Sequence, residues 1–154
     1  MAPYYKDGYL EAVLFIFLDG NKILIEHRPE AGGKETFIPN GKIEDSDLRT
    51  GTDYPTSAML REIAEELGST IQLKDYELLG EFYAEAIKTK FFGFLVKDWV
   101  GIIPAFTLEE GRKFADLEWI EIEEYARHLK FDTSTFFVER VRAVLGPGPE
   151  HQNV

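Results

Sequence analysis

Three carboxylates in one short run are the residues best equipped for chemistry in this chain. They are Glu62, Glu65 and Glu66, within Arg61-Glu62-Ile63-Ala64-Glu65-Glu66-Leu67-Gly68. Residues three and four apart lie side by side on a helix, so Glu62 neighbours both Glu65 and Glu66 and the acids crowd one face. Met59, Leu60, Ile63, Ala64 and Leu67 recur at helical spacing as an apolar stripe on the other side. Like charges at i+4 repel by about 0.2–0.5 kcal/mol per pair, and Arg61, four residues before Glu65, offsets part of that. A divalent cation would remove the rest. Taken alone, the run reads first as a solvated acidic face, because hard cations draw oxygen ligands from several parts of a chain.

The elements that must position this run are legible from pattern. Asp53 stands as N-cap and Pro55 in the first turn of its helix, and Gly68 stops it. Tyr9 to Leu18 reads as a strand covered on both faces, since Ala12 to Leu18 is continuously apolar. Asp19 to Lys22 is turn chemistry, and Ile23 to His27 is the returning strand. Arg28 to Lys34 reads as a loop, Thr36 to Pro39 as a short extended piece, Asn40-Gly41 as a tight turn, and Glu44 to Asp53 as a polar loop. Tyr76 to Phe82, Ile87 to Val96 and Trp99 to Ile103 read as strands, Thr107 to Asp116 as a loop, and Leu117 to Ile120 as a short strand. A short helix follows over Ile122 to Leu129. Asp132 to Thr135 caps a last helix that runs to about Leu145 and packs through Phe137, Val138, Val141 and Val144.

Composition bounds the rest. At 154 residues the chain suits one domain with a substantial core, here residues 1–145, followed by a flexible tail over 146–154. It has no Cys, which excludes disulfides, thiolate zinc sites and a Cys nucleophile. No apolar run approaches the ~18–20 residues of a membrane span, and the N-terminus lacks the pattern of a signal peptide, so the expected location is the cytosol. The net charge of −11 argues against binding long nucleic acids. It allows an enzyme that meets anionic substrates through a bound cation.

The stretch from Gly41-Lys42-Ile43-Glu44 to Arg61-Glu62-Ile63-Ala64-Glu65-Glu66-Leu67-Gly68 resembles the Nudix box. That signature is Gly, five residues, Glu, seven residues, Arg-Glu, a hydrophobic residue, any residue, Glu-Glu, any residue, Gly and a hydrophobic residue. Its second half matches here, and Phe37-Ile38-Pro39-Asn40 looks like the family's extended approach to the box. Leu117 to Ile120, the helix after it and Phe131-Asp132 are similar to the C-terminal third of many members. The resemblance covers about residues 9 to 145. It implies an α/β fold, an α/β/α sandwich with a mixed β-sheet. The departures are specific. Gly41 and Arg61 are 20 positions apart, six more than in the family. Counting back from Arg61 puts Asp53 at the family's first Glu, and counting forward from Gly41 puts Asp47 there. In the family that acid fixes the box arginine, and Asp53, at the helix start, is the expected partner of Arg61. Ser69 stands where a hydrophobic residue is usual, and Asn40 replaces the Gly before Gly41.

The resemblance implies hydrolysis of a nucleoside diphosphate linked to another moiety, a nucleoside triphosphate among the candidates, with Mg²⁺ (or Mn²⁺) as cofactor. Glu62 and Glu66 would be its carboxylate ligands, Glu65 an additional ligand or the holder of a second metal, and the backbone carbonyl of Asn40 a further ligand. Glu110 is the first choice of general base, ahead of Glu109 and Glu65, with a solvated acidic loop as the alternative. Arg28 follows a strand and precedes the box, where it is a candidate phosphate ligand or a plain surface arginine. Phe37 and Phe131 are candidates to stack on a base, against core packing. Asp132 is a candidate to read a base edge, against a helix N-cap role. His27, His128 and His151 form no ligand spacing. The competing readings are a non-catalytic nucleotide-sensing module of the same fold and an acidic structural domain with an idle helix face.

Overall fold

The computed structural model describes residues 2–30, 33–51 and 53–146. The tail expected over 146–154, with His151, lies outside the described residues from 147 onward. The strands are β1 (Tyr5–Lys6), β2 (Tyr9–Asp19), β3 (Lys22–Glu30), β4 (Gly33–Phe37), β5 (Asn40–Lys42), β6 (Gln72–Ala84), β7 (Thr89–Val100), β8 (Phe106–Glu109) and β9 (Arg112–Glu121). The α-helices are α1 (Tyr54–Leu67), α2 (Tyr125–His128) and α3 (Asp132–Leu145). The main sheet runs β6-β7-β2-β3-β9-β8, with β1 and β5 on β2 and β4 on β3. It is mixed: β2 and β7 are parallel from Leu10 to Phe17, and the other pairings are antiparallel.

Strand β2 organises this frame. Alternate side chains of a strand point to opposite faces. Ala12, Leu14, Ile16 and Leu18 enter one core with Phe137, Val138 and Val141 of α3. Val13, Phe15 and Phe17 enter the other with Ala58, Met59, Ile63 and Leu67 of α1. The continuous apolar run is thus a strand buried between two helical layers, and the α/β/α sandwich expected from the sequence is present. Each of the larger side chains among these (Val, Leu, Ile, Phe and Met) contributes about 1.5–3 kcal/mol when fully buried.

The chain departs from sequence expectation where polar residues hide pairing. Strand β3 continues through Arg28 to Glu30 and pairs with β4, so part of the expected loop is a hairpin. Asn40-Gly41 is not a tight turn: it lies in β5 and pairs with Leu14 and Val13 of β2. Residues Asp45–Arg49 form a 3₁₀ turn inside the expected loop. Strand β7 absorbs Trp99 and Val100, so no separate strand spans Trp99 to Ile103. The expected loop from Thr107 to Asp116 is the β8–β9 hairpin. Its two-residue turn, Glu110-Gly111, has positive φ at both positions, which matches the twist of the flanking strands. On α1, Met59, Ile63 and Leu67 are buried, but Leu60 and Ala64 of the expected stripe face outward. Phe131 occupies the N-cap of α3, and Asp132 is its first helical residue rather than its cap.

The approach of α3 to the sheet depends on Gly93 of β7. A Cβ there would overlap the Phe137 ring, and that ring is fully buried. Gly93→Ala is expected to destabilise the fold by about 1–3 kcal/mol through overpacking. Urea unfolding checks this as a lower midpoint at unchanged m-value.

Candidate active site

β2 and β3 pair only at their hairpin end, through Leu18–Ile23 and Asp19–Lys22. Beyond that end β2 pairs with β5, and β3 with β4 and β9. The site lies where the two strands have parted. Pro39, just before β5, accepts a hydrogen bond from the Phe15 N–H of β2 at 3.0 Å. Gly41 then passes directly against the Glu62 side chain of α1, where a Cβ would overlap the carboxyl group. Gly41 is required there for room, since its φ is not positive. The far end of α1 is tied to the sheet by Tyr54, whose hydroxyl donates to the buried Glu11 carboxylate at 2.7 Å.

Arg61 fixes the acidic face. Its Nε and Nη2 donate to the two oxygens of Asp47, both at 2.9 Å. Nη2 also donates to the Lys42 carbonyl at 2.9 Å, and Nη1 to Glu62 at 2.9 Å and Glu65 at 3.1 Å. The arginine partner is therefore Asp47, not Asp53. Asp53 precedes the first turn of α1, and Arg61 lies eight residues further along, roughly 12 Å up the helix axis at ~1.5 Å per residue. Forward counting from Gly41 finds the right acid, and the six extra residues fall between Asp47 and Arg61. Burial acts to raise the Asp47 pKa. Hydrogen bonds from Arg61 and the Glu44 N–H, with the Arg61 charge, outweigh it and leave Asp47 below its ordinary 3.8.

A cleft of about 610 Å³ opens over this face, lined by Arg28, Asn40, Gly41, Lys42, Glu44, Glu62, Glu65, Glu66, Leu108, Glu109, Glu110, Gly111 and Phe114. Every acid singled out from the sequence for metal binding or proton transfer borders it. Glu62 is buried, Glu66 partly so, and Glu65 has 57% of its side chain exposed. Burial, the hydrogen bond shared with Glu62 and the charges of Glu26 and Glu62 push Glu66 well above the usual 4.5, against Arg28. Burial also raises Glu65, helped by Glu62 and Glu44 and opposed by Arg61. Glu110 stands at the apex of the β8–β9 turn, on the cleft's rim, with Glu109 beside it. Among the described residues no three His, Cys, Asp or Glu side chains form a metal cage by themselves. Two neighbouring carboxylates with Asn40 on the same cleft still suit Mg²⁺, which keeps several waters and takes few carboxylates.

Arg28 reaches the cleft from β3. Its guanidinium lies 4.6 Å from the Phe37 ring centroid and 5.6 Å from that of Phe114. Phe37 stacks in turn on Phe131, centroids 5.2 Å apart and planes 6° from parallel. These two rings and Asp132 border a second, mostly apolar cavity of about 690 Å³ that also takes Phe82, Ile87 and Phe91. Asn40 borders both spaces. Phe131 is 44% exposed, so it forms a wall of that cavity rather than core. Two site residues escaped the sequence reading. Phe114 lay in the unrecognised hairpin. Glu26 carried a signal: with period two it shares the inward face of Leu24, an odd place for a carboxylate.

A glycine-bearing strand thus lies against an acidic helix braced by an arginine, beside an aromatic cavity. Residues 8–138 match the NUDIX domain, and the chain belongs to the Nudix family, as a pyrophosphohydrolase acting on phosphoanhydride bonds. A solved structure from work on MutT of Aliivibrio salmonicida and Vibrio cholerae is similar at 25% identity and a TM-score of 0.64, covering 86% of this chain and 96% of the other. The Escherichia coli ORF135 protein has the same fold at 22% identity and a TM-score of 0.65, covering 90% and 92%. An ADP compounds hydrolase shares the fold at 14% identity and a TM-score of 0.67, covering 88% and 72%. None of the curated proteins matches the chain by sequence. No described helix is long and apolar enough to cross a membrane.

Asp47→Asn replaces a charge-assisted fork with one amide that cannot accept from both Arg61 nitrogens. It is expected to cost about 1–3 kcal/mol at pH 7, while Asp53→Asn costs less than half as much. The folded-state pKa of Asp47 is depressed, so its contribution is present above the unfolded value and is lost as pH falls through the folded value. Thermal unfolding at pH 7 and pH 3 checks this, the gap between parent and Asp47→Asn narrowing in acid.

Proposed function

We propose that the protein hydrolyses a nucleoside diphosphate linked to another moiety, with Mg²⁺ as cofactor and nucleoside triphosphates as the first candidates. The observation that carries this is the junction of two spaces at Asn40, an acidic cleft on one side and an aromatic-walled cavity on the other. Such a pair suits a ligand with one phosphorylated end and one flat apolar end. Glu62 and Glu66, with the Asn40 carbonyl, would hold the cation, and Glu65 would assist or hold a second one. A cation bound there supplies charge neutralisation on the phosphates and polarises the attacking water.

The chain's own residues do the remainder. Arg61 keeps Glu62 and Glu65 in place. Glu110 accepts the proton of the attacking water as its oxygen bonds to phosphorus, and the bridging P–O bond breaks with its electron pair leaving on the departing phosphate. Glu109 and Glu65 are the other acids within the cleft able to take that role. Arg28 presents a guanidinium to a phosphate. The Phe131 wall, backed by Phe37, offers a face for the base, and Asp132 an acceptor for its edge.

Release of phosphate or pyrophosphate from a nucleotide panel tests this reading. Turnover is expected with Mg²⁺ and none with excess chelator. Glu66→Gln is expected to lose activity by orders of magnitude while its circular dichroism and melting curve stay native. Parental activity in Glu66→Gln would sink the metal assignment, and saturable binding without turnover would support a nucleotide sensor instead.

A further inference from the structure

One acid near the cleft has no role so far. Glu26 of β3 is fully buried, with a side-chain exposure of 1%. Both Arg28 donors that reach it converge on a single oxygen, Nε at 3.0 Å and Nη2 at 2.6 Å from Oε1. Its other oxygen, Oε2, is the one buried side-chain polar atom among the described residues that finds no partner. A carboxylate whose only task is to hold an arginine uses both oxygens in a fork, which is the stronger arrangement. Here one oxygen is left over, in a place where an unmet acceptor is unfavourable. The carboxylate is also an electrostatic neighbour of Glu62, Glu66 and Glu109, so the leftover charge sits behind the acidic cleft. Four acids this close, with Arg28 on Glu26 and Arg61 on Glu62, the latter shared with Asp47 and Glu65, leave a deficit of positive charge.

We propose that Glu26 is a positioning residue for the cation: Oε1 clamps Arg28, and Oε2 accepts a hydrogen bond from a water of the hydration shell of a divalent ion held by Glu62 and Glu66. The inference rests on the proposed metal reading of those two acids and adds a residue outside the box. It ties cation loading to the orientation of the arginine that faces the phosphates. Partners of this outer kind commonly change metal affinity by about 10–100-fold when removed.

Titration of the full chain with Mn²⁺, read as loss of the free-ion electron paramagnetic resonance signal, needs no turnover. Glu26→Gln keeps the shape and removes the charge, and is expected to weaken Mn²⁺ binding by about tenfold or more. Glu26→Met, which buries no charge, is expected to show the same loss and serves if the amide variant does not fold. Arg28→Gln is the control. If Glu26 acted only through its clamp, Arg28→Gln would weaken Mn²⁺ as much as Glu26→Gln does. The expected result is a smaller effect in Arg28→Gln. Parental Mn²⁺ affinity in Glu26→Gln or Glu26→Met, alongside lost affinity in Glu66→Gln, would overturn the role of Glu26 and leave the metal reading standing. A parent protein that binds no Mn²⁺, or binds it equally well as Glu66→Gln, would remove both.

Discussion

Everything at this site depends on one guanidinium. Glu44, Asp47, Glu62 and Glu65 all lie within ion-pair distance of Arg61, whose side chain is only 20% exposed. Burial works against the arginine's charge, and the carboxylates around it more than restore it, raising its pKa. The geometry matters as much as the charge. Arg61 spreads its donors over the Lys42 carbonyl of β5, Asp47 of the 3₁₀ turn and two acids of α1. Three successive segments of the chain are thereby fixed to each other. A lysine has a compact ammonium rather than a planar fork, and could not span them.

That clamp works because the sheet has already brought its parts together. Strand β2 must face two cores at once, so α1 and α3 take opposite sides of it. Its pairing with β3 ends after the hairpin, and β5 takes the vacated edge. Gly41 then meets α1 at the point where β3 has moved away. Residues on the α1-facing side of β3 lose their apolar surroundings there, and Leu24 is followed on that face by Glu26 and Arg28. The parting of two strands thus converts an apolar core into an acidic cleft within a few residues.

These facts explain what the sequence could reveal. Helix α1 was legible at both ends because Pro55 and Gly68 act locally and the 3.6-residue period is strong. Strand β2 was legible because seven consecutive apolar residues have few other uses. The β8–β9 hairpin was hidden, since Glu110-Gly111 is not a usual turn pair and its strands carry charge. The partner of Arg61 was misjudged for a different reason. Proximity in sequence favoured Asp53, but a regular helix carries Arg61 two turns away from it. Asp47 is further from Arg61 in sequence, yet the 3₁₀ turn that carries it puts both its oxygens 2.9 Å from the guanidinium. Glu62, Glu65, Glu66, Glu110 and Arg28 were named from sequence and share one cleft. Glu26 was not, because its meaning lies in an unpaired oxygen.

The two irregularities of the box have different physical weight. Asn40 stands where the family has glycine, yet its φ is not positive and it lies in a paired strand. Its side-chain amide donates to the Ile38 carbonyl at 2.9 Å, a bond that glycine lacks. Nothing at that position demands glycine, whereas Gly41 next to it admits no side chain at all. The six extra residues are equally separable from the chemistry. No described residue from 45 to 60 borders either the cleft or the aromatic cavity. The lengthened segment follows Asp47 and leads into α1, and the described link from its start to the cleft is the Asp47–Arg61 pair. On the function proposed above, choice of the group beyond the phosphates would fall to the residues that border the aromatic cavity, chiefly on β4, the β6–β7 connection and the start of α3.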